Sequence, residues 1–342
     1  MQRWTMGMVF LIILLIGLTG LAKGRELVVY TYDSFVSWGP AKYIEERFEA
    51  IYGVDIVFVA TGDSGEMLSK LIAERDAGGT PADIFIGIGS TDLPRVKRHN
   101  LFTPLTEDDV PQLYRIPNDL RVDETGSVIP YEHGFITLVY DSEVVSESEV
   151  PRTFEELTQP RYRDMLAVQD PRQSIVGHDF LMWTIAEYGE NYRDYWERLD
   201  STILTITGGW SEAYSLFLEG EVPMVVSYST DTAYSVIANE STRYRVLLLN
   251  DQGYRQILGM GIVNGTDDFG LARAFLDFVL SPEVQGQIPT TEWMFPANPS
   301  AELPDQFRQF AVVPADPVVL PIELIAENDD RWLREWSRQI LR

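Results

Sequence analysis

Three short apolar runs, Glu26 to Thr31, Val54 to Ala60 and Ala82 to Ile88, alternate with two stretches whose apolar residues recur every three or four positions. The first stretch follows Gly39-Pro40, carries Ile44, Phe48 and Ile51, and stops at Gly53; the second, Met67 to Arg75, carries Leu68, Leu71 and Ile72 and stops at Gly78-Gly79. That spacing predicts helices, and glycine just past the last apolar position is a common stop signal. The β-branched run within Ala82 to Ile88 suits a strand buried on both faces, as in a parallel sheet. The order is βαβαβ.

The order then returns. Phe135 to Tyr140 is apolar, Thr153 and Glu156 have capping-box spacing, and Met165 to Gln169 reads as a strand; Trp210 to Leu218 reads as a helix and Met224 to Tyr228 as a strand. The expected fold is α/β with two lobes, each a mostly parallel sheet flanked by helices. No long Gly/Ser or Pro linker and no internal repeat separates them, so strands must join them: Ile129 to Tyr140 crossing, Arg255 to Val263 returning. Residues 25–130 and 257–300 are then one lobe and 131–256 the other. Residues 301–342 form a helical tail with no lobe assigned, with Trp332, Leu333, Trp336 and Ile340 at helical spacing. Ligands of open α/β sheets sit beyond the carboxyl ends of the strands. Two such edges facing each other make a cleft.

Residues 1–24 stand apart. Arg3 precedes an almost wholly apolar Met8 to Leu21, and Ala22-Lys23-Gly24 offers small residues around a cleavage point, so the segment reads as a secretory signal peptide. The alternative is an uncleaved anchor, for which an apolar core of about 14 residues is short. Both readings export the remaining chain. The sequence has no cysteine, which excludes a disulfide framework and a lipid-bearing cysteine at the mature end. A free, monomeric periplasmic protein is expected.

The formal net charge is −25, and removing the leader with Arg3 and Lys23 leaves 25 bases against 52 acids. Such a surface repels nucleic-acid phosphates and anionic lipid. It favours a cationic ligand, but it is equally the surface of a protein kept soluble by charge.

Rings and acids gather at predicted strand ends. Past the first strand, VVYTYDSFVSW at 28 to 38 places Tyr32, Asp33 and Trp38 where a cleft would lie, whereas Tyr30 and Phe35 read as core. A strand-end loop is a poor place to bury three polar-tipped groups unpaired. TGGWSEAY at 207 to 214 sets Trp210 at a helix start behind two glycines, which admit a close partner; the free N–H groups there suit a phosphate or another acceptor. An ordinary turn with Trp210 packed as a staple is the other reading. SYSTDTAY at 227 to 234 adds Tyr228, Asp231 and Tyr234 after the run Met224-Val225-Val226.

VYTYDSF with WGP at 29 to 40, QDPR at 169 to 172, GWSEAY with LFL at 209 to 218, SY at 227 to 228, and PT with WM at 289 to 294 together resemble the bacterial periplasmic thiamine-binding proteins of ABC importers. The resemblance runs through essentially the whole mature chain. It implies a type II solute-binding fold with thiamine or its phosphates held between the lobes, and an importer permease as partner. The implied ligand contacts are Asp63, Ser64, Ser174, Ile175, Trp210, Tyr228, Ser229, Thr230 and Asp231, with Tyr32, Trp38, Tyr234 and Trp293 as neighbours. The chain departs from the family pattern in having Ser64 rather than glycine after Asp63, and Tyr228-Ser229-Thr230-Asp231-Thr232 rather than Tyr-Thr-Thr-Ser-Pro. The carboxylate of Asp231 is expected to favour a cation and to disfavour a phosphorylated one, which places free thiamine ahead of its phosphates.

Rival functions have thinner support. There is no P-loop, Gly-x-Ser-x-Gly or His-Glu-x-x-His, and His99, His133 and His178 lack metal-ligand spacing. The thiamine-degrading enzymes of this fold use a cysteine nucleophile, which this chain lacks. A ferric-ion receptor would use Tyr228, Tyr234 and Asp231 as hard ligands, yet no Tyr-Tyr pair occurs. A polyamine receptor would use the same cage of rings and acids. No cofactor, metal or catalytic residue is expected.

Overall fold

The computed structural model describes residues 25–341; the signal peptide read in residues 1–24 lies outside them. Ten strands form one sheet: β1 Glu26–Tyr30, β2 Asp55–Val59, β3 Ile84–Gly89, β4 Ile129–Asp141, β5 Leu166–Gln169, β6 Ile203–Thr207, β7 Met224–Tyr228, β8 Tyr244–Leu247, β9 Tyr254–Ile262 and β10 Phe295–Pro296. The order is β2-β1-β3-β9-β4-β7-β5-β6, with β8 and β10 also pairing with β4. The β2-β1-β3 and β7-β5-β6 edges are parallel. Between them β9 runs antiparallel to β3 and β4, and β4 antiparallel to β7. The fold is two-lobed α/β, with β4 and β9 as the shared strands.

β4 serves both lobes because of its length. Its first part, Ile129 to Ile136, pairs with β9, and Ile136 to Tyr140 pairs with β7. The expected crossing strands are therefore the observed ones. Helices cover the sheet as the periodicity predicts: Ala41–Tyr52 is closed by Gly53 at φ 64°, a left-handed cap that glycine adopts without strain. Ser64–Asp76 follows β2, Ile175–Tyr188 follows β5, Trp210–Leu218 follows β6 and Asp231–Asn239 follows β7. One difference bears on the site: Asp33–Ser37, read as loop, is a short helix that brings Trp38 to its end.

The tail helix, Ile322–Ile340, lies against both lobes. Its buried Trp336 meets Trp196 edge-on at 5.6 Å, in the Tyr192–Leu199 helix that precedes β6. On the other side Arg98, in the Leu93–Arg98 helix after β3, pairs with Asp330 at 3.1 Å. Among the described residues no helix is long and apolar enough to cross a membrane.

Candidate functional site

The loops at the carboxyl ends of β1, β2, β6 and β7 meet around an empty space of about 530 Å³, part of it continuous with solvent. Each wall residue is placed by a local rule. Trp38 closes the Asp33–Ser37 helix and remains 39 % exposed at the mouth. Trp210 opens its helix behind Gly209, stacks on Tyr214 at 4.7 Å, and donates its indole N–H to Ser227 Oγ at 2.9 Å. Tyr228 ends β7 with its ring 6.1 Å from that of Trp210 and its hydroxyl donating to Gln256 Oε1 at 3.1 Å. Trp293, held edge-on by Tyr234 at 5.0 Å, has φ 57°. A bulky residue in the left-handed region costs about 1 kcal/mol or more and persists where surrounding packing imposes it.

Asp63 joins the lobes. It caps its own helix, accepting the Ser64 N–H at 2.7 Å, and also accepts the N–H groups of Ile175 at 3.3 Å and Trp210 at 3.2 Å. Both of the latter are first residues of helices in the opposite lobe, where the helix dipole favours an anion. Gly209 lies beside Asp63, where a Cβ would meet the carboxylate side chain at an ordinary contact distance of 3.4 Å. Burial pushes the Asp63 carboxyl above its usual range, against the bonds from Ser174, Trp210, Ile175 and Ser64. Nearby, Ser211 Oγ donates to Asp33 Oδ1 at 3.0 Å and Glu66 N to Gln173 O at 3.1 Å, so the two lobes are in contact.

The floor is acidic. Glu132 on β4 is fully buried, and Glu292 follows the Ile288–Thr291 helix; both line the cavity. Tyr32 Oη lies 3.2 Å from Glu132 Oε1, 3.1 Å from Glu292 Oε2 and 2.6 Å from Tyr131 Oη. Gly87, at φ 102°, makes room for this ring, since a Cβ there would fall 2.4 Å from it. Burial pushes both carboxyls up, Glu292 to about 8, and Glu292 adds charge repulsion to Glu132. Neither has an ion-pair partner among the described residues.

Of the residues singled out from sequence, Tyr32, Trp38, Asp63, Ser64, Ile175, Trp210, Tyr228 and Trp293 line the cavity. Tyr32 is buried with its hydroxyl paired, so the unpaired burial that the sequence argument disfavoured does not arise. Asp33 and Ser174 are off the wall, the first exposed and accepting from Ser211, the second buried and capping the Ile175–Tyr188 helix. Ser229 and Thr230 are buried off the wall. Asp231 is also buried and accepts the Tyr228 N–H at 3.4 Å; burial raises its carboxyl to about 7. It supports the strand end behind the cavity. Tyr234 touches Trp293 and Tyr214. Sequence reasoning missed Glu132 and Glu292, together with the apolar wall residues Leu258 and Met294.

The model of the bacterial extracellular solute-binding protein family matches residues 39–286. The thiamine-binding periplasmic protein of Brucella melitensis is 34 % identical over 331 residues, 96 % of each chain. That of Salmonella typhimurium is 31 % identical over 317 residues, 92 % of this chain and 94 % of the other. A solved structure of a periplasmic thiamin binding protein superimposes with a TM-score of 0.85 at 30 % identity, covering 94 % of this chain and 98 % of its own. With its cleft between two lobes joined by β4 and β9, the chain belongs to the bacterial extracellular solute-binding protein family.

Proposed function

We propose that this protein captures thiamine between its lobes in the periplasm and hands it unaltered to an ABC importer. The observation that carries the reading is the cavity wall itself: five rings, Tyr32, Trp38, Trp210, Tyr228 and Trp293, with Asp63, Glu132 and Glu292 and no basic side chain. Thiamine is a flat aminopyrimidine joined to a permanently cationic thiazolium. A cation over an aromatic face contributes roughly 0.5–2 kcal/mol and a stacked heterocycle about 1–3 kcal/mol. Nanomolar capture needs about 12 kcal/mol, so several rings, the acids and lobe closure act together. The names of the relatives agree with this chemistry.

Free thiamine is favoured over its phosphates, for a different reason than Asp231. The helix-start N–H groups of Ile175 and Trp210, which would suit a phosphate, are taken by Asp63, and the wall carries two further acids. We assign residues 25–130 and 257–300 to the first lobe and 131–256 to the second. The tail helix straddles both, and the working unit is a monomer secreted by the segment 1–24. Calorimetric titration with thiamine, its mono- and diphosphate, spermidine and ferric citrate tests the reading, with mass analysis of the recovered ligand. Tight one-to-one binding of intact thiamine supports it; preference for spermidine or iron, or a cleaved pyrimidine, refutes it.

A further inference from the structure

Glu132 and Glu292 are arranged in a way that ring stacking does not explain. A charged group inside an apolar strand such as β4 is costly unless paired. Glu132 is 0 % exposed, faces the cavity, and its Oε2 has no hydrogen-bond partner; Glu292 Oε1 has none either. The remaining oxygens converge on one hydroxyl, Tyr32 Oη, which has a single proton to donate and also contacts Tyr131 Oη.

The titratable groups facing the pair are Tyr32 and Asp33 past β1, Tyr131 beside Glu132 on β4, and Tyr228 ending β7. All are neutral or acidic. His133, the next residue on β4, stacks on Phe295 at 5.5 Å and feels Arg255 and Asp119 instead. Among the described residues none supplies the positive charge that two buried carboxylates need.

We propose that Glu132 and Glu292 act as one acid pair that selects a cationic, amine-bearing heteroaromatic ligand: the pair holds a proton in the ligand-free cleft and releases it to solvent when the ligand's own charge arrives. This rests on the thiamine reading and adds to it a specificity device. The charge balances, since one proton leaves the pair as one thiazolium enters. A neutral or anionic ligand of the same shape cannot displace the proton and is rejected. Burial, which raises both carboxyls, with the charge of Glu292 acting on Glu132 and that of Asp33 on Glu292, keeps that proton bound near neutral pH.

The test is titration calorimetry of the wild-type protein with thiamine at pH 7 in phosphate and in Tris, whose ionisation heats differ. The expected result is a buffer-dependent heat corresponding to release of up to one proton, with affinity rising up to about tenfold per pH unit between pH 6 and 8. Glu292→Gln, isosteric with the native side chain, is expected to bind with little proton release and a flat pH profile; Glu132→Gln provides the independent second variant. Thiamine binding with the same heat in both buffers and no pH dependence overturns the pair's role while leaving the thiamine reading intact. No binding of thiamine at any pH overturns both.

Discussion

Asp63 accepts the backbone N–H of Trp210 across the cleft at 3.2 Å, so a single carboxylate ties the start of the Trp210–Leu218 helix to the opposite lobe. The same carboxylate also holds Ile175 at 3.3 Å. Hydrogen bonds to a charged group contribute about 1.5–3 kcal/mol each. Asp63→Ala is therefore expected to weaken thiamine binding at least tenfold and to favour an open cleft. Calorimetry reads the first effect, and a larger radius of gyration of the ligand-free variant in X-ray scattering reads the second.

Trp210→Ala removes the ring central to the wall, in contact with Trp38, Tyr214 and Tyr228. Loss of stacking and cation–π attraction predicts at least a tenfold weaker Kd in a variant whose circular dichroism matches the parent. Unchanged affinity in that folded variant would remove Trp210 from the site.

Glu292 makes the ligand-free protein sensitive to alkali. Its carboxyl is raised by burial, against the Tyr32 bond, to about 8. A raised carboxyl contributes stability below its ordinary value near 4.5 that is lost as pH rises through 8. Glu292→Gln is expected to melt about 3 °C or more above the parent at pH 8, with the gap closing towards pH 5. Thermal denaturation across this range checks the direction.

The tail helix is fastened by His178 Nε2 and Asp329 Oδ1, 2.8 Å apart. Burial alone would lower the imidazole, but Asp329, Asp92 and Asp179 outweigh it and lift it to about 9. The resulting stability is fully present below pH 6.5 and is lost as pH rises through 9. Removing one partner of a buried pair costs about 3–5 kcal/mol. Asp329→Asn should accordingly be destabilising at pH 6.5 and much closer to the parent at pH 9.5, as read by urea denaturation.

The helices and strands were legible where burial leaves a pattern: an apolar face recurring every three or four residues, as in Ile44-Phe48, or a continuous apolar run, as in Ala82 to Ile88, for a strand buried on both faces. Trp38 beside Gly39-Pro40, Trp210 behind Gly208-Gly209 and Tyr228 at a strand end were legible as candidates because they stand past or at the ends of strands, and all three line the cavity. Asp231 shows the limit of that rule: an acid at a strand end also serves the backbone, here the Tyr228 N–H. Glu132 left one usable signal, an acid in the interior of the apolar strand IPYEHGFITLVYD, far from its terminal Asp141. Glu292 left none locally. It reaches Glu132 only through tertiary packing, across a separation that sequence spacing does not encode, and the cross-cleft bonds of Asp63 are hidden for the same reason.

The most direct measurement is a crystal structure of the protein grown with thiamine. The expected result is intact thiamine in the cavity, a ring stacked on Trp210 or Trp293 and its amine or thiazolium beside Glu132 and Glu292. An empty cavity at saturating thiamine, or the vitamin bound elsewhere, would contradict the account.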